Sequence, residues 1–117
     1  MSENEKCIRI VTDIRHIKDC KEDLYAVDLF LSKGSDLFKI LSNKDHLKIL
    51  FVLNKQESVC TCDIKDIMDL SLSETLIQLA YLKDQGIIVE KRVGQTTFWY
   101  IHVDLRAIIY SLFDLIV

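Results

Sequence analysis

Apolar residues recur every three or four positions along most of the chain, and that spacing predicts helices. Leu24, Val27, Leu31, Leu37, Ile40 and Leu41 set out an apolar face from Asp23 onward. Ser32-Lys33-Gly34-Ser35 interrupts the run and predicts a break or kink there. Ser42-Asn43-Lys44-Asp45 is a turn with cap-forming residues. A short, strongly apolar helix follows through Leu47, Ile49, Leu50, Val52 and Leu53, and polar Asn54 to Ser58 ends it. Cys60-Thr61-Cys62-Asp63 precedes a third short helix carrying Ile64, Ile67, Met68 and Leu70, with Asp63 as a cap candidate. Ser71-Leu72-Ser73-Glu74 opens a fourth helix. Ser73 is its expected N-cap, since a hydroxyl there accepts from an otherwise unpaired N–H. Leu76, Leu79 and Leu82 are its expected core stripe, and Gly86 closes it where a left-handed residue is cheapest.

The period then changes to that of strands. Ile87 to Arg92 and Thr97 to Ile101 are rich in β-branched and aromatic residues, with Val93-Gly94-Gln95-Thr96 as a hairpin tip. Asp104 to Val117 reads as a last helix. Its Leu105, Ile108, Ile109, Leu112, Phe113, Leu115 and Ile116 cover more surface than one core face needs, and a second copy is the simplest cover. The predicted fold is mainly α with a small β-hairpin: a winged helix-turn-helix, dimeric through its terminal helices. Residues 1–22 are expected to be an arm holding Cys7 and Cys20, and 23–117 the winged domain.

Composition narrows the class. A chain of 117 residues suits one domain with a modest core. Half the residues are hydrophobic and 28% are charged, a globular balance. With no proline and three glycines, an all-β fold is disfavoured. No apolar run approaches the roughly 20 residues that span a bilayer. The first residues, Met1-Ser2-Glu3-Asn4-Glu5-Lys6, are polar, so the expected setting is cytoplasmic, without a membrane partner. A net charge of −3 leaves nucleic-acid binding open but gives it no electrostatic support. No paired carboxylates, nucleophile–base set or glycine-rich phosphate loop points to an enzyme or an organic cofactor.

The four cysteines carry the candidate chemistry. In a reducing compartment they read as thiols or metal ligands before disulfides. Cys60 and Cys62 stand two residues apart. Two such thiolates face one way, and can share an ion, where the backbone between them is extended; on a regular helix they diverge. Sulfur selects soft ions: cadmium, lead, zinc, copper(I), or trivalent arsenic and bismuth. The bland alternative is that the cysteines pack as small hydrophobes. A redox switch built on the same thiols is a third reading.

These features resemble the ArsR/SmtB family of winged-helix repressors. The resemblance rests on Cys60-Thr61-Cys62-Asp63-Ile64 ahead of the fourth helix, on Asp23-Leu24-Tyr25-Ala26-Val27-Asp28 behind an arm containing Cys7, and on Leu79-x-x-Leu82-x-x-Gln85-Gly86-Ile87-Ile88 leading into a wing around Gly94. It implies a homodimer that binds double-stranded operator DNA and lets go when a soft divalent ion (cadmium, lead or zinc) binds. It further implies that the arm of one subunit completes the site of the other, giving Cys60, Cys62 and Cys7 of the partner subunit, with Cys20 as a candidate fourth ligand. Val11 stands where the family usually has a second arm cysteine. A second family site on the last helix is expected to be absent, because Asp104 and Asp114 have only His102 nearby. His16, His46 and His102 are expected to be unremarkable.

The resemblance also assigns the DNA contacts. The fourth helix would enter the major groove with Ser71, Ser73, Thr75, Gln78 and Lys83, Gln78 being the best base reader. Lys91, Arg92, Gln95 and Thr96 would meet phosphate from the wing. Leu76-Ile77-Gln78-Leu79 departs from the family's Ser-His-His-Leu type of run, and Glu74 and Asp84 outweigh Lys83. Ile77 reads either as a thymine-methyl contact or as core. The rival function is therefore a winged-helix metal-binding or thiol-redox module with weakened or lost DNA binding.

Overall fold

The computed structural model describes residues 6–117. After an irregular stretch come α1 (Ile14–Leu41), α2 (Lys44–Gln56), β1 (Val59–Cys60), α3 (Thr61–Met68), α4 (Leu72–Asp84), β2 (Ile88–Val93), β3 (Thr96–Ile101), a 3-10 turn (Val103–Leu105) and α5 (Arg106–Ile116). The predicted winged helix-turn-helix order is present. The chain divides into two compact units, one ending at Leu37 and one running Phe38–Val117.

α1 differs from its prediction twice. It begins at Ile14, not Asp23, so residues 14–22 are helical. It also runs through Ser32–Ser35 without a break. Serine, lysine and glycine all keep their backbone N–H, so the ladder survives at a cost of about 1 kcal/mol for an interior glycine; a proline would have ended it.

The second unit is built around α2. Its buried residues His46, Ile49, Leu50 and Leu53 form one stripe at helical spacing. That stripe packs against β3, α5, α3 and α4. Ile64, Leu79, Leu82, Ile87, Ile88 and Ile109 complete a fully enclosed core. Asn43 caps α2 by accepting from the Asp45 and His46 amides. The His46 Nδ1 lies 3.0 Å from the Ile40 carbonyl, and its ring stacks on Tyr81 of α4 with centroids 5.1 Å apart. His46 is thus a buried strut joining the end of α1, α2 and α4, and not unremarkable as expected.

α4 begins two residues earlier than expected. Ser71, not Ser73, is its N-cap and accepts from the Glu74 amide. The Ser71-x-x-Glu74 spacing is the capping-box signature, which would have identified it. Gly86 takes φ +75° just past the helix, and the Gly86 and Ile87 amides close onto the Lys83 and Leu82 carbonyls. The hairpin turns on Gly94, at φ +64°, with Val93 paired to Thr96.

The sheet has a third strand that was not expected. β1 pairs antiparallel with β3, Val59 opposite Trp99 and Cys60 opposite Phe98, giving the order β1-β3-β2. Two residues are too short for any periodicity to show. No helix among the described residues is long and apolar enough to cross a membrane.

Candidate metal and nucleic-acid sites

Cys60 and Cys62 flank the corner where β1 becomes α3. Cys60 is extended, at φ −77° and ψ 159°, and is the N-cap of α3 without making a side-chain cap bond. Cys62 lies in the first helical turn, so Asp63 is inside the helix and not its cap. Cys60 is half-buried, Cys62 is exposed, and both are free thiols. Cys60 also borders a cleft of about 520 Å³ shared with Phe51, Val52, Asp63, Ile67 and Phe98. The corner is fixed from behind: Trp99, buried in β3, donates its indole N–H to the Thr61 hydroxyl at 2.8 Å.

Cys7 lies in the irregular stretch before α1, and Cys20 lies on α1. Both are exposed and belong to the first unit. Among the described residues of one chain, no three His, Cys, Asp or Glu side chains gather as a metal site. The residues that do fit a soft ion are Cys60 and Cys62. Their sulfurs are uncommitted, reachable, and carried by a corner that is extended on one side and helical on the other.

The candidate DNA contacts divide. Ser73 is exposed on α4, and Lys91, Arg92, Gln95 and Thr96 are exposed on the wing. The Ser71 hydroxyl is occupied by capping. Thr75 is fully buried, with its hydroxyl donating to the Ser71 carbonyl at 2.8 Å, so it drops out of the contact set. Thr75, Leu79 and Leu82 form the inward stripe, spaced four and three apart, while Leu76 is 46% exposed. Of the expected stripe, Leu79 and Leu82 are buried, and Thr75 takes the place of Leu76. Ile77 is 69% exposed and so is not a core residue. The Gln78 carbonyl oxygen is buried without a hydrogen-bond partner, so its amide faces inward in part. Lys83 pairs with Glu90 of β2, and that carboxylate raises its ammonium above the ordinary lysine value.

Comparison with known proteins agrees with this architecture. No family profile matches the chain. The cadmium resistance transcriptional regulatory protein CadC of Listeria innocua is 36% identical over 67 residues, which are 57% of this chain and 56% of that protein. The chain thus spans little more than half the length of the curated relatives it matches. The transcriptional regulator HlyU of Vibrio vulnificus has the same fold, with a TM-score of 0.71 at 24% identity over 80% of this chain and 97% of that one. A homodimeric winged helix-turn-helix DNA-binding domain from Mycobacterium bovis superposes with a TM-score of 0.66 at 21% identity, over 77% of this chain and 82% of that one. The chain has the winged helix-turn-helix fold of these regulators, and the relatives it is similar to are transcriptional regulators and not enzymes. A CadC homolog of Staphylococcus aureus is also similar, 27% identical over 74% of this chain and 74% of that protein.

Proposed function

We propose that this protein is a cytoplasmic, homodimeric transcriptional repressor that leaves its operator when a soft metal ion binds at cysteine thiolates. The observation that carries this reading is Cys60-Thr61-Cys62-Asp63 at the strand-to-helix corner directly ahead of α4. Cys60 and Cys62 supply two sulfurs. The arm, residues 1–22 by the sequence reading, brings Cys7 of the partner subunit, and Cys20 is the candidate fourth donor. Three sulfurs suit lead, and a fourth suits cadmium or zinc. The bound ion supplies only an attraction that holds these thiolates together; the consequence for DNA follows from linkage. A ligand that favours one arrangement of the two subunits lowers the affinity of whatever needs the other. Ser73, the outer face of α4 and the basic wing meet the duplex, the wing through phosphate.

Cadmium resistance is what the name of the Listeria relative states, and arsenical resistance is stated for an Escherichia coli repressor. These support a soft-ion effector without choosing one. Cadmium titration of the reduced protein, followed in the ultraviolet sulfur-to-metal band, tests the site. One ion per subunit, lost in Cys60→Ser, is the expected result; a band that survives this substitution removes Cys60 from the site.

A second reading is favoured by α4 itself. With Thr75 buried, the Gln78 oxygen turned in and Lys83 held by Glu90, the reading surface is thin. The protein would then be a metal-binding or thiol-redox module with weak or no DNA binding. Titration with promoter-region duplex at low and high salt decides between them: tight, salt-sensitive binding supports the repressor.

A further inference from the structure

We infer that the Trp99–Thr61 hydrogen bond is the internal link by which occupancy of the cysteine corner reaches the wing. The inference rests on the metal reading of Cys60 and Cys62 and assigns its route within one subunit.

Thr61 is the residue between the two cysteines. Its hydroxyl accepts the Trp99 indole N–H at 2.8 Å, with Trp99 only 5% exposed. The same contact is backed by the β1–β3 pairing, which places Val59 opposite Trp99 and Cys60 opposite Phe98. Side chain and backbone thus tie the corner to one strand. That strand is the central one of the sheet, and its other neighbour carries the wing charges: Trp99 faces Glu90, Phe98 faces Lys91 and Thr97 faces Arg92. The backbone pairing is the path by which a displacement of β3 would reach those residues.

The corner has a reason to move. Cys60 is extended and Cys62 lies in the first helical turn, so the backbone changes conformation between the two thiols. Holding both sulfurs on one ion acts on the two peptide units that flank Thr61. The threonine hydroxyl is the atom on that segment fastened to the sheet. The link differs from a general packing contact in having one donor and one acceptor, so it can be cut without emptying the core. Trp99 is also the chain's single tryptophan, so its emission reports the link directly.

The test compares the wild-type chain with T61V, which keeps shape and removes the acceptor, and T61S, which restores it. Cadmium is titrated into each, reading the sulfur-to-metal band, Trp99 emission, and affinity for promoter-region duplex with and without the ion. All three proteins are expected to show the same band at the same stoichiometry and the same metal-free duplex affinity. Wild type and T61S show an emission change that saturates with the band, and T61V loses most of it. The cadmium-induced drop in duplex affinity shrinks about fivefold or more in T61V and returns in T61S. W99F, which removes the donor, gives the same loss of coupling. Full coupling in T61V and W99F overturns the inference while leaving the metal site standing. Absence of the band in the wild type overturns the metal reading, and the inference with it.

Discussion

The stretch up to Leu37 and the stretch from Phe38 onward are both rich in apolar residues, yet they use them differently. From Lys6 to Leu37 no residue is buried: Leu24, Tyr25, Leu29, Phe30 and Leu31 are all more than half exposed. From Phe38 on, α2, α3, α4, the sheet and α5 enclose Ile49, Leu50, Leu53, Leu79, Leu82 and Ile109 completely or nearly so. Hydrophobic content therefore does not decide which segment holds its own core; three-dimensional closure does. The winged unit is closed by elements crossing one another, whereas a lone helix has nothing to close against. The outer side of α5 repeats the contrast on a smaller scale, with Ile109 and Phe113 buried and Ile108, Leu115 and Ile116 exposed.

The largest effect expected from this comparison is in the winged unit. Leu53→Ala should lower stability by about 2–5 kcal/mol, as for other enclosed leucines, whereas Leu24→Ala should change it little in dilute protein. Equal shifts in the denaturant midpoint for the two would break the distinction. Next is Leu31→Asp on α1. If the exposed face is covered by a second copy, this charge should weaken the dimer about a hundredfold or more, equivalent to about 2.7 kcal/mol, by sedimentation equilibrium. An unchanged dissociation constant would mean that α1 is covered by something else. Gly86→Ala, at φ +75°, should cost about 1–2 kcal/mol, because a Cβ is strained in that conformation even though it meets no neighbour. The smallest effect belongs to Glu90→Gln, which frees Lys83 and removes a negative charge beside the wing. Duplex affinity at low salt should rise a few-fold and the salt slope should steepen by about one. No change in either would place β2 and Lys83 away from the duplex.

What the sequence made legible follows the same physics. Gly86 and the Gly94 tip were readable because a positive φ leaves few residue choices. The buried stripe Ile49, Leu50 and Leu53 was readable because α2 is strongly apolar on one side. In α4 the sequence shows Leu79 and Leu82 as core but not Thr75, because Leu76 is the more apolar residue; a hydroxyl can sit in a core when a nearby backbone carbonyl accepts from it, as that of Ser71 does here. His46 was undervalued for the same reason, its polar nitrogen being spoken for by Ile40. β1 was invisible because a two-residue strand is defined by its partner. Of the cysteine site, the Cys60–Cys62 spacing was legible and their corner geometry was not, since the register with β3 that shapes it comes from residues nearly forty positions away.

The strand order has one more consequence. β2 is an outer strand, so one row of its backbone donors and acceptors faces outward, and a second sheet could add to it. Charged side chains on such a strand discourage that growth. Glu90, Lys91 and Arg92 stand there, all exposed. Whatever they do for a polyanion, they also keep this surface from seeding aggregates. Neutralising Lys91 and Arg92 together would trade one kind of association for another, and solubility would have to be followed alongside any loss of binding.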